Sequence, residues 1–396
     1  MIKRGPAQHE SQHYSERKKP MRLEQLLWTS TTAWQPASAL PDAQLLLVFG
    51  STDLLDAQRL AELRERYPAA ILLGCSTAGE IQGVQVRDDS ITVTAICFAH
   101  TPLQLACLDL DAISNGYAAG QALAAQLQDE DLVHVFVLSD GLHVNGTHLV
   151  AGIKASLPQG VEVTGGLSGD GSRFQRTLVI ANSEPLERRV AALGLYGNRL
   201  RVGYGSLGGW DPFGPDRLIT QSQGNVLYAL DGHSALALYK KYLGEHAAGL
   251  PATGLLFPLA LRTCDNDALG LVRTILSVNE ADQSMTFAGD MPQGNYVRLM
   301  KANFDRLVDG AADAAAAAKH GMGKTTAELA ILISCVGRKL VLKQRVEEEV
   351  EGVRKVLGDT TVLTGFYSYG EISPYVATGR CELHNQTMTI TTLSEG

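Results

Sequence analysis

Apolar runs alternate with amphipathic segments along the chain, and the order in which they do so repeats. QLLLVFGST (residues 44 to 52) is an apolar run ending in Gly-Ser-Thr, and the DLLDAQRLAELRERYP that follows has the i, i+3, i+4 leucine spacing of an amphipathic helix. AAILLGCSTAGEI then reads as a second buried strand. The same order returns near the other end: ELAILISCVGR (328 to 338) is an apolar run, RVEEEVEGVRKVLG a charged helix closed by Gly358, and TTVLTGFYSYGEI the next strand. Both stretches predict β-α-β units.

The two units share Gly-x-x-x-x-Gly-Glu-Ile, as GCSTAGEI at 74 to 81 and GFYSYGEI at 365 to 372. Each is followed by one more strand, SITVTAICFA (90 to 99) or CELHNQTMTITTL (381 to 393). Agreement in motif, spacing and flanking elements predicts an internal duplication that sets two Gly-rich loops at equivalent strand ends. Between the copies, LVHVFVLSDGL (132 to 142), VEVTGGLSGDG (161 to 171), RTLVIAN (176 to 182), VAALGLYG (190 to 197) and RLRVGYGSLGG (199 to 209) read as further strands. GNVLYALDGHSALALYKKYLG introduces a helix with Asp231 or Ser234 as N-cap and Gly244 past its end, and KANFDRLVDGAADAAAAAKHG reads as a plain helix without functional signal. The expected fold class is α/β, with β-α-β units duplicated in the two halves and mixed sheets with Gly-rich loops.

Composition narrows the function classes. The chain has 396 residues, 45% of them hydrophobic and 19% charged, enough for two or three domains. A net charge of −8 offers phosphates no basic field, so nucleic acid is not expected as a partner. No apolar run approaches the roughly 18 residues of a membrane span, so no membrane association is expected either. The opening MIKRGPAQHESQHYSERKKP lacks the apolar middle of a secretory signal, which predicts a flexible polar leader over residues 1–38 and a cytoplasmic location. Cysteines at 75, 97, 107, 264, 335 and 381 form no C-x-x-C pair, which argues for reduced thiols rather than a zinc site or a disulfide framework.

Several motifs fail for stated reasons. AKHGMGKTT has the G-K-T half of a phosphate-binding loop, but a helix precedes it where a strand is needed. VGYGSLGGW satisfies G-x-G-x-x-G, yet GGWDPFGP cannot open the helix that would hold a pyrophosphate. The elbow G-x-S-x-G is approached at Gly74 and Gly166 but ends in Ala78 and Asp170. A hydrolase or transferase using Cys75, Ser76 or Cys335 would need a base within hydrogen-bond reach.

Ligands of parallel α/β sheets lie beyond the carboxyl ends of the strands. The loops there supply Cys75, Ser76, Thr77, Ser168, Cys335, Arg338, Tyr367, Tyr369 and Glu371 as candidate ligand-binding residues. The fork of Arg338 suits a carboxylate, if it is not simply an arginine following a strand. Tyr367 and Tyr369 can line a planar ligand or pack in a core. Glu80 and Glu371 read as carboxylates that order their own turns. His384 shares a strand face with Met388 and Ile390, so its ring is expected to point inward, either as a hydrogen-bonded core histidine or as an iron ligand. Asn385 beside it joins the candidate set, with His143 and His148 as second choices for a metal and His134 as a buried strand residue.

GCSTAGEI, SDGLHVNG, GGLSGDGSRF, GNVLYALDG, SCVGR, GFYSYGEISP and LHNQTMTI, in this order, resemble the FIST proteins, sensory modules with an N-terminal and a C-terminal FIST domain. The resemblance covers about residues 40 to 394 and implies two domains, FIST N at 39–222 and FIST C at 223–394. It implies a ligand sensor without catalytic activity that signals to a partner protein. One stand-alone branch of the family binds haem, senses nitric oxide and controls a histidine kinase, and this chain is similar to it in carrying no attached signalling region. That branch implies haem b as cofactor, a diatomic gas as ligand and a histidine kinase or other signalling protein as partner. The family at large leaves open a small carboxylate, such as an amino acid, bound without haem.

Overall fold

The computed structural model describes residues 21–36, 40–262, 270–375 and 379–396. It is a mixed α/β fold, and it contains the repeated unit three times. In each unit a central strand lies parallel to a second strand reached through a helix: Leu45–Gly50 with Ile71–Ser76, Leu132–Ser139 with Glu162–Leu167, and Leu329–Cys335 with Val362–Ser368. On its other side the central strand pairs antiparallel with a return strand, Ser90–Cys97, Arg189–Tyr196 or Met388–Glu395. Each return strand pairs in turn with the strand that opens its unit, Arg22–Thr29, Leu103–Asp109 or Leu200–Leu207. Residues 22–29 thus form a strand inside the stretch expected to be a polar leader, because alternating RLEQLLWT lies along Ser90–Cys97, while residues 1–20 lie outside the described chain.

The three units are tied by exchange of strands. Glu80–Gln82 leaves the first unit and pairs with Val362–Ser368 of the third. Gly370–Pro374 leaves the third and pairs with Glu162–Leu167 of the second. Val179–Ala181 leaves the second and pairs with Ile71–Ser76 of the first, closing the circle. The register is the same each time, with Ile81 opposite Gly365, Ile372 opposite Gly165 and Ile180 opposite Gly74.

Glycine is required at those three positions by close approach. A Cβ on Gly74, Gly165 or Gly365 would lie 2.1, 1.9 or 1.8 Å from the carbonyl oxygen of Val48, Val137 or Leu332, its partner on the parallel neighbour. The inner faces of the three sheets share one core, in which Leu47, Phe49, Phe136, Leu193, Ile331 and Phe366 meet, with the Phe49 and Phe366 rings 4.7 Å apart. Two buried threonine contacts cross between sheets, Thr94 to Thr364 at 2.9 Å and Thr391 to Thr164 at 2.8 Å. His134, on the second unit's central strand, is buried there with its Nε2 2.8 Å from Thr164 Oγ1.

The third unit carries an insertion between its opening strand and its helix Phe304–Gly321. Strands from Asp211–Gln223 to Tyr296–Lys301 form an eight-stranded antiparallel sheet with its own core around Leu227, Leu236, Met285 and Phe287. Its helix Ala235–Leu243 begins at Ser234, whose side chain accepts from Ala237 N–H, and ends at Gly244. The run expected as one strand over 381 to 393 splits in two. Cys381–His384 joins the second sheet and Met388–Glu395 the third, across a turn in which Gln386 has φ +62°. His384 therefore shares no strand face with Met388 and Ile390, although its ring is buried as expected.

Candidate functional site

The Gly-rich loops interlock where the three units meet. Gly169 and Gly171 of the second unit donate to the Ser76 and Thr77 carbonyls of the first. Ala78 N–H donates to Tyr367 O and Tyr367 N–H to Gly79 O, tying first to third, while Tyr369 N–H donates to Leu167 O, tying third to second. The side chains are engaged as well. Ser76 Oγ donates to Gly169 O and accepts from Leu178 N–H, and Ser168 Oγ donates to Ser139 O. Tyr369 donates to Gly171 O and stacks on Phe174 with centroids 4.3 Å apart. These loops were expected to open onto a ligand, and among the described residues their polar groups instead satisfy one another.

The two motif glutamates are held in similar ways, each by two hydroxyl donors. Thr77 Oγ1 and Ser90 Oγ donate to Glu80 at 2.5 and 2.6 Å, and Ser368 Oγ and Thr387 Oγ1 donate to Glu371 at 2.8 and 2.9 Å. Both carboxyls order their turns, mainly through hydroxyl donors. Burial raises Glu80 from 4.5 to about 7 and Glu371 to about 8, against the lowering effect of these donors. Between pH 4.5 and 7 folded Glu80 holds a proton that the unfolded chain has lost, so its contribution is full below pH 4.5 and fades as pH rises through 7. Relative to wild type, the melting temperature of Glu80→Gln is expected to climb from pH 4.5 to 7.5, since glutamine has no proton to lose. Parallel melting curves across that range would count against it.

None of the candidate nucleophiles is activated. Burial pushes the thiols of Cys75 and Cys335 up, and nearby Glu371 raises Cys335 further, so both are held in the protonated form that does not attack. Arg338 is enclosed. Its Nε and Nη2 donate to Glu349 Oε2 at 3.0 and 2.7 Å, Nη2 also to Leu307 O at 2.7 Å, and Nη1 to Gly208 O. Glu349 further accepts from Ser334 Oγ and Tyr367 OH, and all of these side chains are buried. The Arg338 fork expected to meet a ligand carboxylate meets Glu349 instead.

An open cleft lies elsewhere, between the inserted sheet and the third unit, with a volume of about 510 Å³. One wall is the loop Ser206 to Trp210, with Arg306, His384 and Thr387. The other is built by Pro212, Ala260, Val272, Arg298 and Met300, with Arg262. Gly209, at φ +79°, lets the loop lie against the start of helix Phe304–Gly321, since a Cβ there would sit 1.8 Å from Arg306 O. Trp210 is fixed by its Nε1–H, which donates to Gln386 O at 2.8 Å. Tyr375 adds a second aromatic ring, 5.9 Å from that of His384.

The basic side chains lining the cleft are Arg262, Arg298, Arg306 and His384. Arg298 grips Asp216 with Nε and Nη2 at 2.7 and 2.8 Å, and Arg262 reaches the same carboxylate at 2.7 Å. Arg306 meets Asp211 only at 3.8 Å, and its side chain is 58% exposed. Burial pulls His384 down to about 4, so the ring is neutral at pH 7. Its Nε2 lies 3.0 Å from Ser373 O, an acceptor only, which puts the proton on Nε2 and leaves Nδ1 as the basic nitrogen.

Of the sequence candidates, His384 alone lines the cleft. Glu371 stands behind it, accepting from the Thr387 N–H at 3.1 Å, and Cys335 N–H donates to Thr387 O. Asn385 is buried next to it, with neither amide atom partnered among the described residues. His143 is held 3.1 Å from Asp140 and His148 3.1 Å from Asp290, away from the cleft. Among the described residues no three His, Cys, Asp or Glu side chains gather as metal ligands, and no helix is long and apolar enough to cross a membrane. Sequence reading missed Trp210, Arg298 and Arg306. Trp210 follows the Gly-Gly pair of a rejected motif, and Arg306 opens a helix dismissed as plain, so only the cluster of cations flanking the insertion carried a signal.

Comparison with known proteins agrees with the resemblance read from the motifs. The FIST N domain family model matches residues 44–233 and the FIST C domain family model matches residues 235–374. An uncharacterized protein of Methanocaldococcus jannaschii is 22% identical over 364 residues, covering 85% of this chain and 68% of the relative.

Proposed function

Because the chain belongs to the FIST family of sensory signal-transduction proteins, we propose that it is a haem-binding sensor of nitric oxide whose ligand cleft lies between the inserted sheet and the third unit. The observation that carries this reading is the neutral, buried His384 lining a cleft of about 510 Å³, inside the usual size range of small-molecule sites. The residues fit the group. His384 Nδ1 would hold the iron while Ser373 O orients the ring, Trp210, Val272, Met300 and Tyr375 offer apolar and aromatic walls, and arginines suit the propionates. Bound there, haem would supply an iron that takes up the diatomic gas. The chain's part is to bias two arrangements of the cleft walls, one of which a partner histidine kinase would read.

The test is an absorption spectrum during haem titration, with and without nitric oxide. A sharp Soret band that shifts with the gas is expected, and His384→Ala should weaken haem affinity at least about tenfold. An unchanged band in that variant would overturn the assignment of His384.

A second reading, a sensor of a small carboxylate without haem, is favoured by the arginines on both walls. It expects no Soret band, and a rise in melting temperature with added amino or dicarboxylic acids.

A further inference from the structure

Resting on the reading that this cleft holds the ligand, a further feature concerns how the ligand is gripped. Arg298 stands on strand Tyr296–Lys301 of the inserted sheet, whereas Arg306 stands in the first turn of helix Phe304–Gly321 of the third unit. Asp216 takes Nε and Nη2 of Arg298, which fixes the plane of its guanidinium, and Nη1 has no hydrogen-bond partner among the described residues. Among the described residues the Arg306 side chain has the distant Asp211 as its one ion-pair partner, and it is largely open to solvent. Two arginines thus line one cleft, one from the inserted sheet and one from the helix of the third unit, with Trp210, Val272, Met300 and Tyr375 also in the lining.

We propose that Arg298 and Arg306 each receive one carboxylate of a flat, apolar dicarboxylate, so that the bound ligand cross-links the inserted sheet to the third unit. A guanidinium fork matches a carboxylate in plane and charge, and a ligand holding both arginines resists separation of the walls. Elsewhere the inserted sheet is tied to the repeats by other groups. Asp290 meets Asn145 Nδ2 at 2.9 Å and His148 at 3.1 Å, and buried Arg273 donates to Leu383 O at 2.9 Å. Beside the cleft the two walls also meet directly, in a buried cluster of Trp210, Ala260, Val272 and Met300 with Leu307, Val341 and Leu342, so the ligand would reinforce a joint that the chain already makes.

The probes are metal-free protoporphyrin IX, which keeps the two carboxylates and lacks iron, and its dimethyl ester, followed by porphyrin fluorescence. Wild type is expected to bind the acid at least about tenfold more tightly than the ester. Arg298→Gln and Arg306→Gln are each expected to lower acid affinity by about tenfold or more and to leave ester binding unchanged. Arg306 is an exposed residue, so its variant should fold even if loss of the Asp216 contact weakens the Arg298 variant. Equal binding of acid and ester, unchanged acid affinity in Arg306→Gln, or no porphyrin binding would each overturn the proposal. Its failure is separable from failure of the haem reading. Iron ligation falls if His384→Ala keeps its Soret band while the arginines still discriminate acid from ester, and the arginine grip falls if the band depends on His384 while acid and ester bind alike.

Discussion

Replacing Glu349 by alanine is expected to destabilise the protein by about 3–5 kcal/mol, measured as the shift in denaturant unfolding. The pair it forms with Arg338 is fully enclosed, and the same carboxylate also accepts from Ser334 and Tyr367. Removing it leaves a guanidinium in the interior with two backbone carbonyls, Gly208 and Leu307, as its closest remaining partners. The cost is that of an uncompensated buried charge rather than the net worth of the pair. The double variant Arg338→Met with Glu349→Leu, which removes both charges, is therefore expected to regain a good part of the loss. A single-variant effect below about 1 kcal/mol, the size of an exposed ion pair, would mean that the pair is not enclosed as described. Since Gly208 lines the cleft, the single variant should also weaken ligand binding through the loop it holds.

Gly365→Ala is expected to cost at least about 3 kcal/mol, the upper end of ordinary overpacking, and to lower the yield of folded protein. The added Cβ would fall 1.8 Å from Leu332 O, inside a parallel pair that cannot spread without also displacing Ile81 on the other side. Gly165→Ala should behave alike, because its Cβ meets Val137 O at 1.9 Å with Ile372 opposite. Thermal unfolding of both variants beside Gly160→Ala, where no atom lies within 4 Å but φ is +90°, separates the two causes. Losses no larger than that of the turn control would refute close approach as the reason for these glycines.

The elements of the repeats were legible because their apolar runs are long and their helices periodic. The duplication was legible through Gly-Glu-Ile, and Glu80 and Glu371 occupy the matching sites it predicts. The third copy was hidden, since VTGGLSGDG keeps the glycine and serine but carries no Glu-Ile, and its exchanged strand Val179–Ala181 starts eight residues past Gly171 rather than at once. What sequence could not tell apart is a loop that is small and polar to admit a ligand from one that is small and polar to interlock with two others. Ser76, Ser168 and Tyr369 belong to the second kind. The cleft escaped for the opposite reason: Trp210, Arg298, Arg306 and His384 come from four segments that acquire a common surface only after the inserted sheet folds back.

The circular exchange of strands has a consequence for how the chain reaches this state. Glu80 pairs opposite Phe366, Ile372 opposite Gly165 and Leu200 opposite Glu395, so contacts that complete the second and third sheets join residues some two hundred or more apart, and Ile180 opposite Gly74 completes the first across about a hundred. Loop closure over such separations comes before any reward in buried surface, which places folding among the slow, high-contact-order cases. During synthesis the first unit must wait, its outgoing strand unpaired, until residues 362–368 have been made, and the third sheet gains its interior strand only with residues 388–395. The region matched as FIST N and the region matched as FIST C are thus not two beads that ripen in turn. They share sheets through exchanged strands, and a chain interrupted between them leaves unpaired edges of the kind that chaperones bind and that aggregate when left alone.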